Sequence, residues 1–424
     1  MNISRSYLFV TWEGGGNVAP VLGIARRLIE RGHNVRVLTE SCLRSAVIAC
    51  GARYEAFRKH FTRKDNSQDL LGDWQAKTPI GALRRTFDKV VFGPATIVAE
   101  ETIRAVATER PDVIVIDHLM PGAISAAEAV VIPRVILFHT PEFLPGAGKP
   151  AAGSGFMPRQ DIIGRSRDTL FNWLFLKMLN PYVPAFAKMH RELNLEAIKN
   201  TTDLINVYHR AERRLILTSE AFDFPIVPAP SNVRYVGPVL DDPEWSGSWE
   251  SPWSNNDARP LVVASLSSTF QNQRKPLQAI IIALGKLQVR GLVTSGPAMR
   301  KEQFETPPNV IVLPVAPHSR VFPEANVVIT HGGHGTVMRA LSSGVPIACM
   351  PMGRDQFDNA ARVVKKGVGL KLAPSAKSTH IAAAVQKLID DVAFRDKAQQ
   401  FSCIIKEDVS QNLAIKELES IGLK

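Results

Sequence analysis

The sequence predicts an α/β protein made of two doubly wound domains, each a parallel sheet with helices on both faces. Short apolar runs alternate with amphipathic helical runs, which is the pattern of strand–helix–strand units and of parallel sheets. The same pattern restarts after a turn-rich stretch in the middle of the chain. A length of 424 residues gives each half enough chain for its own core, at roughly 150 residues per domain.

The chain opens with a strand, a glycine loop, a helix and a second strand. An apolar run at residues 7–12 precedes three glycines at residues 14–16, and an amphipathic run at residues 18–31 ends before Gly32. Further strands are predicted at residues 35–38, 113–116 and 135–138. The second of these runs is continuous and apolar, which is typical of a strand buried on both faces, and Asp117 follows it directly.

Two insertions enlarge the first half beyond a minimal doubly wound domain. Residues 57–89 are polar and have no clear period, so we expect an irregular segment there. Residues 161–193 have a helical pattern that Pro181 and Pro184 interrupt, which predicts one or two long helices.

A turn-rich stretch at residues 241–258 predicts a linker between the two domains. The first domain then comprises residues 1–240 and the second residues 259–424. The helical pattern of residues 381–423 predicts C-terminal helices, which we expect to pack back on the first domain. In the second half, strands are predicted at residues 261–264, 292–294, 310–313, 327–330 and 347–350, and a helix at residues 276–284.

Composition argues against several classes of protein. The formal charge of +11 is modest for this length, and no long basic block occurs, so nucleic-acid binding is not indicated. The four cysteines form no C-x-x-C pair, which argues against a disulfide framework and a structural zinc site. Neither a signal-peptide pattern nor an apolar stretch of about 18 residues is present, so we expect a cytoplasmic protein.

The most informative stretch is residues 331–370, which begins HGGHGT at the end of a predicted strand. Three glycines let the backbone approach a ligand closely, and a helix is predicted to begin near Thr336. The free N–H groups and the dipole of such a helix N-terminus bind anions, and His331 can donate to a phosphate oxygen. A second helix is predicted at residues 355–367.

The full string resembles the donor-binding signature of the family 1 nucleotide-sugar glycosyltransferases, which reads HGG-x-x-[ST], then G-V-P, then P-x-x-x-D-Q-x-x-N-A. This chain matches it at His331, Gly332, Gly333, Thr336, Gly344, Pro346, Pro351, Asp355, Gln356 and Asn359. Other features of the family match at Gly16, Asn17, Pro20, Asp117, Gly237, Pro238, Ser265, Ser267 and Ser268. The chain looks most like the bacterial macrolide and natural-product branch. The resemblance implies the GT-B fold, in which two Rossmann-like domains face each other across a cleft.

The same resemblance implies that the second domain binds the nucleotide sugar and the first domain binds the acceptor. Side chains and backbone amides around the glycine loop are expected to hold the diphosphate. The implied donor ligands are His331, Gly333, Gly335, Thr336, Ser268 and Thr269 for the diphosphate, Asp355 and Gln356 for the sugar, and Val315, Ala316, His318 and Arg339 for the nucleoside.

Two departures from the family pattern bear on the chemistry. Arg339 stands where the family has a Glu that binds the ribose hydroxyls, and because Arg cannot accept a hydrogen bond, a deoxythymidine donor becomes more plausible. The family's base, a His after the first glycines, is replaced by Asn17, whose amide cannot take a proton at neutral pH. Asp117 is expected to act as the base, directly or through a water held by Asn17. His118 and Glu13 are further candidates, and an acidic acceptor would need no strong base.

Structural roles compete with several of these assignments. Asp355 and Asn17 each precede a predicted helix and can be simple N-caps. Asp117 can likewise cap a helix that begins near Pro121. His334 is expected to face solvent or the domain interface.

The sequence therefore predicts an inverting, metal-independent glycosyltransferase that moves a hexose or deoxyhexose from UDP or TDP to a small, apolar acceptor. No Asp-x-Asp triplet occurs, so a metal-bridged diphosphate is not indicated, and no cofactor besides the nucleotide sugar is expected. Two alternatives remain open. One is a catalytically silent GT-B protein that binds a nucleotide or a partner enzyme, which Asn17 favours and the Asp355–Gln356 pair disfavours. The other is a GT-B epimerase that acts on a UDP-sugar.

Overall fold

The computed structural model describes residues 4–65, 70–146, 149–225, 228–243, 246–254, 256–296, 299 and 304–422. Residues 244–245 and 255 of the predicted linker, and residue 423 of the predicted last helix, lie outside these ranges. The described residues form two parallel sheets with helices on both faces, so the predicted fold class is confirmed.

The first sheet has seven strands, all of them parallel. In chain order they are β1 (Ser6–Val10), β2 (Asn34–Thr39), β3 (Arg53–Ala56), β4 (Val113–Asp117), β5 (Arg134–Phe138), β6 (Arg213–Ile216) and β7 (Val233–Tyr235). Their spatial order is β3-β2-β1-β4-β5-β6-β7.

The second sheet has six parallel strands. They are β8 (Leu261–Ser265), β9 (Arg290–Thr294), β10 (Val310–Leu313), β11 (Val327–Thr330), β12 (Ile347–Cys349) and β13 (Gly369–Lys371). The spatial order β10-β9-β8-β11-β12-β13 is the order of a doubly wound dinucleotide-binding sheet.

Helices connect the strands of both sheets. Those before the second sheet are α1 (Val18–Glu30), α2 (Arg44–Ala49), α3 (Pro79–Thr86), α4 (Ala95–Thr108), α5 (Pro121–Ala129), α6 (Ile162–Leu179), α7 (Val183–Glu192) and α8 (Thr201–His209). Those within and after it are α9 (Arg274–Gly285), α10 (His318–Val321), α11 (His334–Ser342), α12 (Gln356–Lys365), α13 (Ser378–Asp390), α14 (Val392–Ser410) and α15 (Leu413–Ser420). None of the described helices is long and apolar enough to span a membrane.

Apolar side chains cover both faces of the first sheet. Alternate residues of a strand point to opposite faces, so Leu8 and Val10 of β1 belong to one buried cluster, while Tyr7 and Phe9 belong to the other. All five residues of β4 are buried, as its continuous apolar run predicts. The sheet is therefore the central layer of its half. Polar residues lie at its carboxyl edge, where the strands end.

The strand order of each sheet reverses once, between β1 and β4 in the first and between β8 and β11 in the second. Ligands of open parallel sheets bind beyond the carboxyl ends of the strands at such a reversal. Those ends are Val10 and Asp117 in the first sheet, and Ser265 and Thr330 in the second. The loops that follow these four strands therefore carry the candidate site.

The polar segment at residues 57–89 is more regular than predicted. Helix α3 begins at Pro79, the side chain of its N-cap Thr78 accepts the Gly81 N–H at 3.0 Å, and a π-helical turn follows at Phe87–Val91. Pro in the first turn after a Thr cap is a helix-start signal, so the irregular prediction was wrong there. Residues 66–69 of this segment lie outside the described ranges. The second insertion is confirmed, since α6 and α7 flank a 3-10 turn that contains Pro181.

The C-terminal helices contact both halves of the molecule. Phe401 and Ile405 of α14 belong to the buried cluster of the second sheet, beside α11. Ile415 and Leu418 of α15 belong instead to a cluster of the first sheet, beside α1. The chain therefore crosses back from the second sheet to the first at its end.

Buried polar contacts join the loops of the two sheets. Arg362 of α12 pairs with Asp223, which lies beyond β6, with Nη2 and Oδ1 2.6 Å apart and both side chains buried. His334, at the start of α11, has its Nε2 3.1 Å from the backbone oxygen of Leu217. Of the two positions expected for His334, solvent and the domain interface, the structure shows the second.

Candidate active site

Asp117 is the last residue of β4, and its side chain is fully buried at the strand reversal of the first sheet. Its Oδ1 accepts the backbone N–H of Leu119 at 2.9 Å. Its Oδ2 accepts the amide Nδ2 of Asn17 at 2.8 Å and lies 3.3 Å from the hydroxyl of Thr11. The two residues predicted to be catalytic, Asp117 and Asn17, are therefore in direct contact.

Neither of these residues acts as the helix cap that the sequence also allowed. The amide oxygen of Asn17 accepts the Gly14 N–H at 3.0 Å and its nitrogen donates to the Trp12 carbonyl at 2.8 Å, so its side chain does not cap α1. Helix α5 begins at Pro121 with Met120 as its N-cap and without a side-chain cap bond from any described residue. The buried amide and carboxylate are thus organised around each other.

A third member of this cluster, His139, was not predicted from the sequence. It follows β5 directly, its ring is buried, and its Nε2 lies 3.1 Å from Oδ2 of Asp117. Its Nδ1 is buried without a hydrogen-bond partner in the described part of the chain. The signal was a polar residue directly after the apolar run at residues 135–138. Only the sheet order, which puts β5 beside β4, brings the two strand ends together.

The charge state of Asp117 follows from these neighbours. Burial raises its pKa, whereas the charge and the hydrogen bond of His139 lower it. His118 and the Leu119 amide act in the same direction, so the pKa of the carboxyl lies well below its usual range. Asp117 is therefore ionised at neutral pH. Such a carboxylate accepts protons weakly but stabilises an imidazolium well.

The two other base candidates make different contacts. Nδ1 of His118 lies 3.1 Å from the backbone oxygen of Leu137, and burial lowers the pKa of this imidazole to about 4. Glu13 accepts the N–H of Gly15 at 2.7 Å, and burial raises the pKa of its carboxyl. His118 is therefore neutral and tied to the sheet, and Glu13 shapes the glycine loop.

Asp117, His118 and His139 are also the residue types that bind metals, and their ligand atoms lie within 4.8 Å of one another. The Oδ2 of Asp117 and the Nε2 of His139 already share a hydrogen bond of 3.1 Å. His118 uses Nδ1 on the carbonyl of Leu137. The cluster is thus organised as a hydrogen-bond network around one carboxylate.

The glycine loop of the second sheet holds His331 beside the start of α11. Burial, followed by the charge of Arg354, lowers the pKa of His331 to about 3, so its ring is neutral. Gly332 has a φ of 88°, and a Cβ at Gly333 would lie 2.6 Å from Nε2 of His331, so both positions need glycine. Helix α11 begins at His334, slightly before the predicted start. Its first N–H groups have no partner within the helix, and a helix end of this kind can bind an anion.

The loop that follows β8 meets the glycine loop of the first sheet. The hydroxyls of Ser267 and Thr269 lie 3.0 Å apart. Gly15 has a φ of 87°, and a Cβ there would lie 3.0 Å from Cγ2 of Thr269 and 3.1 Å from Oγ of Ser268. The loops that the sequence predicts for the acceptor and for the diphosphate are therefore neighbours at Gly15.

The Asp–Gln motif ties α12 to the glycine loop. Oδ2 of Asp355 accepts the amide of Asn359 at 2.7 Å, and the same amide donates to the carbonyl of Gly332 at 2.9 Å. The buried Gln356 accepts the N–H of Met352 at 2.7 Å. Asp355 makes no side-chain cap bond to a described residue of α12, so the N-cap role is not found. These hydrogen bonds thus fix Asp355 and Gln356 relative to the glycines of the loop.

The residues predicted for the nucleoside lie around the start of α10. Nε2 of His318 is 3.0 Å from the hydroxyl of Ser265, its ring stacks on Phe322 at 4.3 Å between centroids, and burial lowers its pKa to about 3. Val315 is half-buried and Ala316 is buried just before it.

Arg339 lies on α11 and contacts the predicted linker. Its Nη2 donates to the carbonyl of Asp241, and its Nε lies 3.5 Å from a carboxylate oxygen of Asp242. The carboxylate of Asp241 pairs in turn with Arg27 of α1 at 2.8 Å. Arg339 therefore presents no acceptor at the position where the family has its carboxylate, and it joins α11 to α1 through the linker.

This arrangement of two facing sheets is the GT-B architecture of glycosyltransferases. The fold is similar to that of the solved glycotransferase of kitacinnamycin, with a TM-score of 0.77, 22% identity and 98% of each chain covered. It is also similar to the calicheamicin glycosyltransferase CalG4, with a TM-score of 0.75, 19% identity and coverage of 99% of this chain and 98% of that one.

The chain belongs to the UDP-glucoronosyl and UDP-glucosyl transferase family, whose model matches residues 8–414. A relative, 4'-demethylrebeccamycin synthase of Lentzea aerocolonigenes, is 26% identical over 398 residues, which are 92% of each chain. Sterol 3-beta-glucosyltransferase UGT80B1 of Arabidopsis thaliana is 25% identical over 382 residues, which are 85% of this chain and 59% of that one. The predicted family, fold and enzyme class are therefore confirmed, and the protein is a glycosyltransferase.

Proposed function

We propose that this enzyme is an inverting, metal-independent glycosyltransferase of natural-product type. It moves a hexose or deoxyhexose from UDP or TDP to a small, apolar acceptor, and it uses no cofactor besides the nucleotide sugar. The name of the rebeccamycin relative and the likeness to the family support a natural-product acceptor.

The proposal rests on the positions of two groups of residues in the two sheets. The buried cluster of Asn17, Asp117 and His139 and the anion site of His331 and α11 lie at the strand reversals of two facing sheets. The two loops between them are neighbours at Gly15. A proton acceptor for an acceptor hydroxyl and a cradle for a diphosphate are thus available on the two sides of one cleft.

The diphosphate binds at the second sheet. The N–H groups at the start of α11, including those of Gly335 and Thr336, and the hydroxyls of Ser268 and Thr269 donate to its oxygens. His331 is neutral, so it donates a hydrogen bond to the diphosphate rather than a charge. These donors stabilise the negative charge that grows on the leaving diphosphate as the glycosidic bond breaks.

The sugar and the nucleoside bind on either side of the diphosphate. Asp355 and Gln356 bind the sugar hydroxyls, as the likeness to the family implies, and they exchange for these hydroxyls some of the bonds that they make to Asn359 and Met352 beside the glycine loop. Val315, Ala316 and His318 flank the base, and Arg339 lies near the ribose.

An inverting mechanism suits this arrangement of the two groups. The acceptor hydroxyl gives its proton to the Asp117–His139 pair as its oxygen attacks the anomeric carbon from the side of the first sheet. The diphosphate leaves on the side of the second sheet. A single displacement between opposite faces exchanges the configuration at that carbon.

The insertions at residues 57–89 and 161–193 form the acceptor pocket in this proposal. Leu170, Trp173 and Leu174 share one face of α6 and are each exposed, which suits an apolar acceptor. Phe175 of the same helix packs edge to face on Phe87 of the other insertion, with ring centroids 6.1 Å apart.

The experiment that tests this function mixes the purified protein with UDP- and TDP-sugars and a panel of phenols and alcohols. We expect release of the nucleotide only with an acceptor present, a product of inverted anomeric configuration by NMR, and unchanged rates with EDTA. A retained configuration, or loss of activity with EDTA that a divalent ion restores, would contradict the mechanism. Nucleotide binding without transfer to any acceptor would favour the catalytically silent alternative, which Asn17 motivates.

A further inference from the structure

Arg354 has an unusual backbone beside the candidate diphosphate site. It directly precedes Asp355, and its φ is 55°, in the left-handed region that few residues other than glycine adopt. Backbone strain of this kind persists where the surrounding contacts impose it, and it concentrates at functional sites. The contacts of the Arg354 side chain therefore bear on the function of the site.

The guanidinium of Arg354 bridges the two halves of the molecule. Its Nη1 donates to the hydroxyl of Thr269 at 3.1 Å, in the loop that follows β8. Its Nε and Nη2 bind the two carboxylate oxygens of Asp73 at 2.8 and 3.1 Å. The guanidinium can donate the same pair of hydrogen bonds to a phosphate group as to a carboxylate, because both present two oxygens at matching spacing.

The charge balance of the site gives this guanidinium a specific role. A donor diphosphate carries negative charge that grows as the sugar leaves. His331 cannot neutralise it, since burial and then the charge of Arg354 keep its imidazole unprotonated. The guanidinium of Arg354 donates to Thr269, a predicted diphosphate ligand, so Arg354 supplies positive charge where the imidazole does not.

We propose that Arg354 is the cation that binds the donor diphosphate, and that the Asp73 carboxylate competes with the diphosphate for it. This inference rests on the proposed function, because it names a further ligand and a competing group at the same donor site. When the donor binds, the fork of Arg354 turns from Asp73 to the phosphate oxygens and keeps its position beside Thr269.

The location of Asp73 gives the exchange a structural consequence. Asp73 lies in a 3-10 turn, Asp73–Gln75, that belongs to the first half of the chain. The neighbouring Trp74 packs edge to face against Phe270, with ring centroids 5.0 Å apart. Losing the Arg354 contact removes one of the links between this turn and the second half of the chain. Donor binding is thereby coupled to a segment on the acceptor side.

The test measures binding of UDP and TDP by calorimetry to three variants. Arg354→Gln should weaken both by about 10- to 100-fold, the effect of losing hydrogen bonds from a charged group. Asp73→Asn should strengthen both by about threefold or more, because the competing charge is gone. Lys365→Gln removes the same charge from the opposite end of α12, roughly 14 Å along the helix, and should leave affinity unchanged.

Opposite signs for the two partners distinguish competition from a simple structural latch. If Asp73→Asn weakens binding, or if Arg354→Gln stays within about twofold of the wild type, the inference is overturned. If Arg354→Gln does not fold, Asp73→Asn decides alone by the same criterion. Wild-type protein that binds neither UDP nor TDP would instead refute the proposed function, so the two failures are separable.

Discussion

The imidazole Nε2 of His139 lies 3.1 Å from the carboxylate Oδ2 of Asp117, at the ends of two neighbouring strands of the first sheet. A buried carboxylate that fixes an imidazole is a common device for a general base, because it orients the ring and stabilises the imidazolium. The family's base position holds Asn17, and β5 supplies an imidazole to the same carboxylate. The ring's other nitrogen, Nδ1, is buried and has no hydrogen-bond partner among the described residues, so it is the nitrogen that is not engaged by the sheet.

The first prediction concerns Asp117. Asp117→Asn should lower the transfer rate by roughly 10²–10⁴, the usual contribution of general base catalysis, because the amide can neither accept a proton nor stabilise an imidazolium. Steady-state rates with saturating donor and acceptor measure this. UDP and TDP affinity should stay unchanged, because Asp117 lies on the first sheet. Asn17→Ala should cost less, since Asn17 only positions its neighbours. A near-normal rate for Asp117→Asn would mean that this carboxylate is structural.

The second prediction separates His139 from Asp117 as the group that takes the proton. His139→Gln keeps a donor for Asp117 but has no basic nitrogen, so transfer to an aliphatic alcohol should fall by roughly 10²–10⁴. Transfer to a nitrophenol should fall much less, since that acceptor is already partly ionised at neutral pH. Rates with the two acceptors measure the difference.

The matched control for this prediction is His118→Gln, on the neighbouring ring. His118 uses Nδ1 on the Leu137 carbonyl, so its replacement should affect both acceptors equally. The double variant of Asp117 and His139 should be little worse than either single one, because the two act as a unit. An equal loss with alcohol and nitrophenol for His139→Gln would instead indicate a contact with the sugar.

The third prediction concerns the diphosphate site. His331→Ala should weaken binding of UDP or TDP by about 1.5–3 kcal/mol, the scale of a hydrogen bond to a charged group. Because the pKa of His331 is about 3, the loss should be the same from pH 6 to pH 8. Calorimetry across this range is the measurement. Unchanged affinity would remove His331 from the donor site, and a loss only at low pH would mean that the ring binds as a cation.

Much of the fold is local in sequence and could be predicted, and so could the position of the glycine loop that is proposed to bind the donor. The continuous apolar run of β4 predicts a doubly buried strand, and the glycines after His331 predict the start of a helix. Each of these signals lies within a few residues of the element that it predicts. Asp117 could be picked because it ends such a strand.

The missed features depend on contacts between distant residues. Arg354 and Asp73 are 281 positions apart and meet only because the two sheets face each other. His139 could be recognised as a neighbour of Asp117 only once the order of β4 and β5 in the sheet was known. The partner of Arg339 is the linker, whose composition gives no hint of a buried charge contact. Neither periodicity nor a motif records such pairings.

The fourth prediction concerns the nucleoside. Since Arg339 offers no acceptor to the ribose hydroxyls, TDP should bind at least as tightly as UDP. UDP and TDP differ in the 2′-hydroxyl of the ribose and in the methyl group of the base, and deoxy-UDP lacks only the hydroxyl. Its affinity should match that of UDP, because the 2′-hydroxyl makes no favourable contact at this site. Competition calorimetry with the three nucleotides measures this. A preference for UDP greater than about tenfold, or 1.4 kcal/mol, would show that another group binds the ribose hydroxyls.

The last prediction concerns stability at acidic pH and rests on His334. Burial lowers the pKa of His334 to about 4, while its Nε2 donates to the Leu217 carbonyl and its Nδ1 has no partner in the described chain. In the unfolded chain the same ring titrates near about 6.5. Between these values the unfolded state binds a proton that the folded state does not. The free energy of unfolding should therefore fall as the pH drops from 6.5 toward 4, by up to about 1.4 kcal/mol per pH unit for this residue. His334→Gln keeps a donor for Leu217 but cannot titrate, so its urea-denaturation midpoint should fall less steeply than that of the wild type over this range. Parallel curves for the two proteins would mean that His334 binds its proton equally in both states.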